Sequence, residues 1–421
     1  MKKIVSVLCA SAMVMGLLSG CQSAAQSGSA STTAAAAAGT TAAAAAGSAT
    51  TAAAAATAGV AKDKIKVGFL YVGDDTDQGY TSNFMDGTKE MKKALGLSDS
   101  QVIEKTNVKE DSSCETALKE LADGGCNIIF ATSFGFEQFV EQVAPDYPNV
   151  QFCHATGYQC ATDKLENTHN YFPQIFEARY LTGIIAGMRT KSNKIGYVAA
   201  MPYSEVMSGY TAFYLGAKSV NPNVTMEVQY TNSWNDPNME SQLAQALIDD
   251  GCDVLGQHAD SAATATVCEK NKVWQIGYNS DMRDKAKNAS ICSCRCDWGI
   301  YAQYAVQCVI DGKAIDQDWT AGLKDNAVVL TEYNDALMPD GAKDKVETAK
   351  KAIIDGSLHV FDTSKFMVGG KAETTFKSAG GAEMVKDGYF HEQEIGFGGS
   401  SPAWPSAKDN TWIVDGITVK Q

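Results

Sequence analysis

Apolar and polar positions change their spacing along the chain, and these changes predict an alternation of strands and helices. Short apolar runs, typical of buried strands, occur at 65–71, 101–104, 128–132, 150–154, 194–199, 225–230, 254–258, 274–278 and 290–296. Between them, apolar residues recur with helical spacing at 80–94, 113–123, 137–147, 175–188, 205–220, 239–249, 261–270 and 298–311. This rhythm predicts parallel sheets with helices on both faces.

The rhythm restarts at Lys194, which predicts two similar α/β units in series. About 360 residues follow the N-terminal region, and this is more than one hydrophobic core usually carries. Parallel sheets place ligand-binding loops at the carboxyl ends of their strands. We therefore expect two lobes with a cleft between them.

Three glycines lie just after predicted helices, where left-handed caps are needed: Gly124, Gly125 and Gly251.

The N-terminal region does not share this pattern. Two lysines precede an apolar run at 4–18, which is too short for a membrane span and predicts a signal peptide over 1–20. The sequence Leu18-Ser-Gly-Cys21 resembles a bacterial lipobox, which implies acylation of the cysteine. The alternative is an ordinary signal peptide followed by a chance cysteine. The Ala/Thr/Ser/Gly-rich segment 21–61 has nothing large to bury, so we expect a flexible tether.

Charge and hydropathy exclude other classes of protein. The formal net charge of −14 argues against a nucleic-acid partner, because phosphate binding needs clustered Lys and Arg. Beyond the signal peptide we expect no membrane-spanning helix, because no apolar run approaches the required length of about 18 residues. With an acylated Cys21, the protein is expected on the extracytoplasmic face of a cell membrane, held by its lipid anchor.

Ten cysteines follow Cys21, and most lie within apolar runs. We interpret them mainly as buried free thiols that replace small hydrophobic residues. A disulfide between Cys153 and Cys160 is an alternative. Three cysteines alternate at 292, 294 and 296, which places them on one face of a strand. Sulfurs two residues apart on a strand are too distant for neighbouring zinc ligands, so no metal or other cofactor is predicted.

Seven motifs, in order along the chain, carry a family resemblance. They are Asp77-Gln-Gly-Tyr80, Ala131-Thr-Ser-Phe134-Gly-Phe136, the run Phe176 to Gly187, Ile195-Gly-Tyr-Val198, Ser233-Trp234-Asn-Asp236-Pro237, Asp253 to Ser261, and Gly277-Tyr-Asn-Ser-Asp281. Together with the lipobox they resemble the basic membrane protein family of ABC-transporter substrate-binding lipoproteins, near the purine nucleoside receptors and the Med-like branch. The resemblance covers residues 62–322 and extends more loosely beyond them.

The resemblance implies a type I periplasmic-binding-protein fold, with two Rossmann-like lobes joined by a three-strand hinge. The N-terminal lobe is expected to comprise 62–172 and 282–312, and the C-terminal lobe 173–281 and 313–421. The implied function is capture of a purine nucleoside or base for an ABC permease. The protein is expected to act as a monomer.

In the first lobe, the family pattern points to loops that follow predicted strands. Tyr80 matches the family aromatic that stacks on the base, and Asp77 matches an acid that accepts hydrogen bonds from the ligand. Asp77 has an alternative role as a turn residue that begins a helix. Ser133, Phe134 and Gly135 are expected to form a wall against the base.

In the second lobe, Trp234 is expected to stack on the base, or alternatively to cover the core of the helix that follows. Asp236 is a second candidate, or a helix cap. The remaining candidates are acids at strand ends and the Trp beside one of them: Asp260, Asp281, Asp297 and Trp298. Carboxylates suit ribose because each accepts two hydroxyl protons. His258 is expected to be a hydrogen-bonded neighbour of the site rather than a metal ligand.

Two other function classes remain open at this point. No metalloprotease, nucleophile-elbow or P-loop motif is present, which argues against an enzyme. A glycosidase that uses Asp77 and Asp297 is the enzymatic alternative. A membrane-anchored sensor that closes on the same ligand without transport is the other.

Overall fold

The computed structural model describes residues 58–159 and 165–420, and it contains two large β-sheets flanked by helices. The predicted signal peptide, Cys21, Cys160 and all of the tether before residue 58 lie outside the described residues. Among the described helices, none is long and apolar enough to cross a membrane.

The first sheet has six parallel strands and, with its helices, forms the first lobe. In spatial order its strands are β2 (Val102–Lys105), β1 (Val67–Leu70), β3 (Ile128–Ala131), β4 (Gln151–His154), β5 (Thr168–Tyr171) and β11 (Asp318–Trp319). Its helices are α1 (Tyr80–Leu95), α2 (Ser112–Asp123), α3 (Glu137–Val143) and α8 (Trp298–Asp311). The strands that form its centre are fully buried, as their uninterrupted apolar runs predict.

The second sheet has seven strands, of which one joins antiparallel to its neighbour, and it forms the second lobe. In spatial order its strands are β12 (Val328–Leu330), β10 (Ser290–Cys296), β9 (Trp274–Tyr278), β8 (Val254–Gln257), β6 (Lys194–Ala199), β7 (Thr225–Tyr230) and β17 (Ile417–Lys420). Its helices are α4 (Ile175–Arg189), α5 (Ser204–Val220), α6 (Pro237–Asp249), α7 (Ala263–Asn271) and α9 (Ala342–Ile354).

Short elements complete the structure. Two small hairpins near the C-terminus pair β13 (Val385–Lys386) with β14 (Tyr389–Phe390) and β15 (Ser406–Ala407) with β16 (Asn410–Thr411). Single 3₁₀ turns occur at Asp75–Asp77, Asp99–Gln101, Phe134–Phe136, Ala144–Asp146 and Leu323–Asp325.

Helices α4 and α5 lie unusually close to each other. A Cβ added to Gly183 would lie 2.0 Å from the carbonyl oxygen of Phe213, and one added to Gly216 would lie 2.0 Å from that of Tyr180. Only glycine permits this backbone approach. This contact bears on the candidate ligand-binding site, because α4 and α5 each supply a charged residue to that site.

The predicted strand and helix positions are largely confirmed. Strands 194–199, 225–230, 274–278 and 290–296 have the predicted bounds, and most other elements differ by one or two residues. Helix 137–147 is shorter, because Ala144–Asp146 forms a 3₁₀ turn that contains a proline. Gly125 and Gly251 have the expected left-handed conformation, with φ of 84° and 94°. The expectation is wrong for Gly124, whose φ of −70° is right-handed, because the cap falls on Gly125 instead.

The crossings between the lobes differ from the prediction. The chain leaves the first sheet after Tyr171, as expected, but it returns after Cys296 rather than near Met282. The physical reason is that strand β10 is almost wholly buried between β9 and β12 of the second sheet. The chain leaves again after Trp319 rather than Gly312, because β11 pairs with β5. The chain therefore crosses between the two lobes three times.

The nine described cysteines after Cys21 are free and buried, as predicted. Cys153 is among these free thiols, which contradicts the alternative of a disulfide with Cys160. Cys292, Cys294 and Cys296 lie on β10, where burial raises the pKa of each thiol above its ordinary range. Across 58–159 and 165–420, no cluster of three or more acidic, histidine or cysteine side chains has the geometry to hold a metal ion.

Candidate ligand-binding site

The carboxyl ends of strands from both sheets face one cavity, which we call the cleft cavity. The ends of β1, β3 and β4 reach it from the first lobe, and those of β6, β7, β8 and β9 reach it from the second. Its empty space is about 400 Å³, a figure that includes the mouth and its open solvent. Its lining residues are Val72, Tyr80, Ser133, Phe134, Thr156, Glu205, Trp234, His258, Asp260 and Tyr278.

Aromatic side chains from both lobes wall the cleft cavity. In the first lobe, Tyr80 is held edge-on by Phe84, with ring centroids 5.0 Å apart. Phe134 faces Tyr203 of the second lobe at 5.7 Å, and Tyr203 in turn lies 5.9 Å from Trp234. Phe134 and Tyr203 are the exposed members, with 39% and 43% of their surfaces accessible. Flat ligands can therefore meet an aromatic surface on either side of the cleft.

A buried arginine lies behind this wall. Arg179 on α4 is 2% exposed, and its guanidinium donates to the Tyr197 hydroxyl, to the Gln257 carbonyl oxygen at 3.0 Å and to Nδ1 of His258 at 3.1 Å. No carboxylate of the described chain forms an ion pair with Arg179. The nearest compensating charge in this network is Glu205, which His258 joins to the arginine.

These contacts fix the tautomer of His258. Arginine can only donate, so Nδ1 of His258 accepts, and the ring proton lies on Nε2. That Nε2–H donates to Oε1 of Glu205 at 3.2 Å. Burial, reinforced by the charge of Arg179, lowers the pKa of His258 to about 4, so the ring is neutral. His258 is thus hydrogen-bonded through both ring nitrogens, and its side chain also lines the cavity.

Asp260 lies where the two lobes touch. Its Oδ1 accepts from Asn279 Nδ2 at 3.2 Å. Burial, together with the nearby carboxylates of Asp77 and Glu240, raises the pKa of Asp260 well above its ordinary value. A Cβ on Gly79 would lie 1.8 Å from the Asp260 carbonyl oxygen, so the lobes meet backbone to backbone at this point.

Two predicted acids cap helices at the rim of the cleft. Asp77 accepts from the backbone N–H groups of Gly79, Thr81 and Ser82 at 3.0, 2.7 and 3.0 Å. Asp236 accepts from the first two free N–H groups of α6, at 3.1 and 3.0 Å. Both positions correspond to the structural alternatives considered from the sequence. Asp77 also lines the open groove outside the cleft cavity.

Two further predicted residues lie outside the cleft cavity. Asp281 forms an ion pair with Arg283, with 2.6 Å between oxygen and nitrogen. Gly135 donates its N–H to Oε1 of Glu110 at 2.9 Å, and the same carboxylate accepts from the Ser133 hydroxyl at 2.6 Å. Gly135 thus helps to hold the loop that presents Ser133 and Phe134.

Asp297 and Trp298 occupy the start of α8, where they also lie outside the cleft cavity. Burial and the neighbouring Glu90 raise the pKa of Asp297 to about 6. Trp298 is 2% exposed and is stacked between Phe84 at 3.9 Å and Phe172 at 6.0 Å. This stack orders the first lobe beneath Tyr80.

Four lining residues were not predicted from the sequence, namely Val72, Thr156, Glu205 and Tyr278. Glu205 had an available signal. It follows β6 and begins α5, which is the same position in the second lobe that Tyr80 occupies after β1 in the first. Comparing the two lobes loop by loop would have identified it.

The model of one family matches residues 64–359, well over half of the chain, and its description is "ABC transporter substrate-binding protein PnrA-like". The chain belongs to this family of ABC transporter substrate-binding proteins. The resemblance drawn from the seven motifs is therefore confirmed. Family membership makes the chain a substrate-binding component of an ABC transporter, not an enzyme, and implies an ABC permease as its partner.

Relatives at the level of sequence agree with this assignment. A purine-binding protein of Brucella abortus is 36% identical over 304 residues, which cover 72% of this chain and 84% of the relative. A Haloferax volcanii protein named as an ABC transporter glucose-binding protein is 35% identical over 62% of this chain and 66% of its own. The Bacillus subtilis transcriptional activator Med is 25% identical over 55% of this chain and 71% of its own.

Solved structures confirm the fold of this substrate-binding protein. A solute-binding protein of an ABC transporter from Conexibacter woesei superposes with a TM-score of 0.59 at 20% identity, over 70% of this chain and 98% of the other. A transcriptional activator of the comK gene from Bacillus halodurans superposes with a TM-score of 0.60 at 22% identity, over 70% of this chain and 99% of the other. The predicted two-lobed periplasmic-binding-protein fold is confirmed.

Proposed function

We propose that this substrate-binding protein captures a purine base or purine nucleoside in the cleft cavity and delivers it to an ABC permease. The observation that carries the proposal is the cavity itself, where aromatic rings from two lobes enclose a space that also contains Glu205 and Asp260. Stacked rings suit the faces of a purine, and carboxylates suit its N–H groups and the hydroxyls of ribose. The 36% identity to a purine-binding protein supports the same ligand class.

The proposed contacts divide between stacking and hydrogen bonding. Tyr80 and Phe134 of the first lobe and Trp234 of the second cover the faces of the ring, while Ser133 and Asp260 bind its polar edge. Six further residues remain predictions as ligand contacts, namely Asp77, Gly135, Asp236, Asp281, Asp297 and Trp298. Their roles as helix caps, ion-pair partners and packing residues account for their positions without a ligand.

Closure of the two lobes is the proposed mechanism. A purine binds to one lobe of the open form, and the aromatic side chains of the other lobe then cover it. The ligand favours the closed form because only that form contacts both of its faces. The closed surface is the one that the permease recognises. Acylated Cys21 and the following tether would hold the protein at the extracytoplasmic face of the membrane.

Two experiments test this proposal. Mass spectrometry of the small molecules released from purified protein by mild denaturation is expected to identify a purine. Calorimetry on the stripped protein then compares adenine, adenosine, guanine, guanosine, hypoxanthine and inosine with D-glucose, since one relative is named for glucose. Binding of D-glucose with no binding of any purine would refute the purine assignment and leave the transporter role intact. A sensor without a transport role would be indicated if deletion of the permease left uptake of the bound purine unchanged.

A further inference from the structure

Arg179 poses a charge problem that the proposed stacking does not address. A buried cation is costly unless an anion compensates it. Arg179 is 2% exposed, and the groups it contacts directly are neutral: a tyrosine hydroxyl, a backbone carbonyl, the His258 ring and the face of Tyr278, whose centroid lies 4.0 Å from the guanidinium carbon.

His258 links the charge of Arg179 to a carboxylate in the wall of the cleft cavity. Its Nδ1 accepts from Arg179 and its Nε2–H donates to Glu205, so the three side chains form a directional series that we call the Arg179–His258–Glu205 relay. Both ring nitrogens are used, which leaves His258 no free group for a ligand. The negative charge that balances Arg179 therefore lies on Glu205, at the surface of the cleft cavity.

Glu205 presents a hydrogen-bond acceptor to the cavity. Its Oε1 accepts from His258, whereas its Oε2 has no hydrogen-bond partner within residues 58–159 and 165–420. Its side chain is 14% exposed, and it lines the cavity. An ionised carboxylate only accepts, so a ligand group that faces Oε2 must donate. A ligand that offers a carbonyl oxygen or a methyl group there would leave Oε2 of Glu205 without a hydrogen-bond donor.

We infer that Glu205 is a specificity-determining residue that accepts a hydrogen bond from an exocyclic amine, so that the site selects aminopurines over oxo- and alkylpurines. The inference rests on the proposed purine function and narrows it to adenine, guanine and their nucleosides. Arg179 and His258 are positioning residues, which hold one carboxylate oxygen of Glu205 and leave the second oxygen for the ligand.

Two matched ligand pairs test this specificity on the unaltered protein by calorimetry. Adenine is compared with 6-methylpurine, in which a methyl group of similar size replaces the amine, and guanine is compared with hypoxanthine, which lacks the 2-amine. Within each pair that binds, the purine with the amine is expected to bind about 10- to 100-fold more tightly than the purine without it. The reason is that the second purine lacks the hydrogen bond to the charged Glu205 carboxylate. Equal affinities within the pairs would overturn the inference.

Glu205→Gln gives a second and opposite test. His258 Nε2–H would hold the amide oxygen of the new side chain, so its NH₂ group would point into the cavity and donate where the carboxylate accepted. The variant is expected to lose affinity for the aminopurine by about 10-fold or more and to gain relative affinity for hypoxanthine. Glu347→Gln removes the same charge from an exposed site on α9, where Glu347 contacts Lys351, and is expected to match the wild type.

The outcomes separate the two proposals. An unchanged ratio of aminopurine to oxopurine affinity in Glu205→Gln, with purines still bound, overturns the role of Glu205 and leaves the purine function standing. If the wild type binds no purine at all, the purine function fails and the inference falls with it.

Discussion

At the scale of single residues, Trp234 lines the cleft cavity from the second lobe and is the residue proposed to stack on the ligand there. Base–aromatic stacking contributes about 1–3 kcal/mol per base. Trp234→Ala is therefore expected to weaken purine binding by about 5- to 150-fold. Calorimetry measures the loss, and Trp234→Phe, which keeps a ring, should recover most of it. Equal purine affinity in wild type and Trp234→Ala would remove Trp234 from the site.

Glu392 makes stability depend on pH. The residue is 3% exposed, and burial raises the pKa of its carboxyl to about 8. Because this folded-state value exceeds the unfolded one, its stabilising contribution is complete in acid and is lost as pH rises through about 8. We expect the free energy of unfolding to fall by as much as about 1.4 kcal/mol per pH unit from this group.

Thermal unfolding of wild type and Glu392→Gln across pH 6 to pH 9 checks this expectation. The amide keeps an acceptor for the Ala403 N–H, which lies 3.0 Å from Glu392 Oε2, but it does not titrate. The variant should therefore gain stability relative to wild type as pH rises. Parallel melting curves at all pH values would show that Glu392 does not titrate in this range.

The residues of the cavity were only partly predictable from the sequence. Tyr80 and Trp234 stand out because large aromatic side chains after strands are costly without a partner. Glu205 does not stand out, because an acid in the first turn of a helix is ordinary. Its significance depends on His258 and Arg179, which are distant in sequence and meet it only in the folded chain.

At the scale of elements, apolar strands were well predicted and polar ones were not. Strand β5 reads Thr-His-Asn-Tyr and has no apolar run, yet all four residues are buried. Tertiary contacts bind several of its polar groups: His169 contacts the Gln151 amide oxygen at 2.8 Å, and Asn170 donates to the Ser400 hydroxyl at 2.7 Å. The second partner comes from 230 residues further along the chain, so no local pattern signals the strand.

The start of α1 gives a prediction at the same scale. Asp77 accepts three backbone N–H bonds, and loss of a helix cap costs about 0.5–2 kcal/mol. Asp77→Ala is expected to lower the melting temperature, whereas Asp77→Asn, which still caps, should retain both stability and purine affinity. Melting curves and calorimetry on both variants separate the two roles. A stable Asp77→Asn variant with much weaker binding would instead make the carboxylate a ligand contact.

At the scale of the whole molecule, Gly79 limits how closely the lobes approach. A side chain there would overlap the Asp260 backbone, since a Cβ would lie 1.8 Å from its carbonyl oxygen. Gly79→Ala is expected to fold but to close incompletely, because this backbone has no room to yield. Purine affinity should fall, and X-ray scattering should show less compaction on ligand addition than in wild type.

Gly380→Ala is the matched control for this substitution, because its Cβ would meet nothing closer than the Ser378 hydroxyl at 3.8 Å. It should compact on ligand binding as the wild type does. Full compaction of Gly79→Ala with purine would show that this contact does not set the closed form.

The most direct test of the central claim is a crystal structure of the protein with a saturating aminopurine. The ring is expected in the cleft cavity, covered by Trp234 on one face and by Tyr80 or Phe134 on the other, with an amine nitrogen within hydrogen-bonding distance of Glu205. A purine bound elsewhere, or a closed cleft that remains empty at saturation, would contradict the claim that the two lobes close on this ligand.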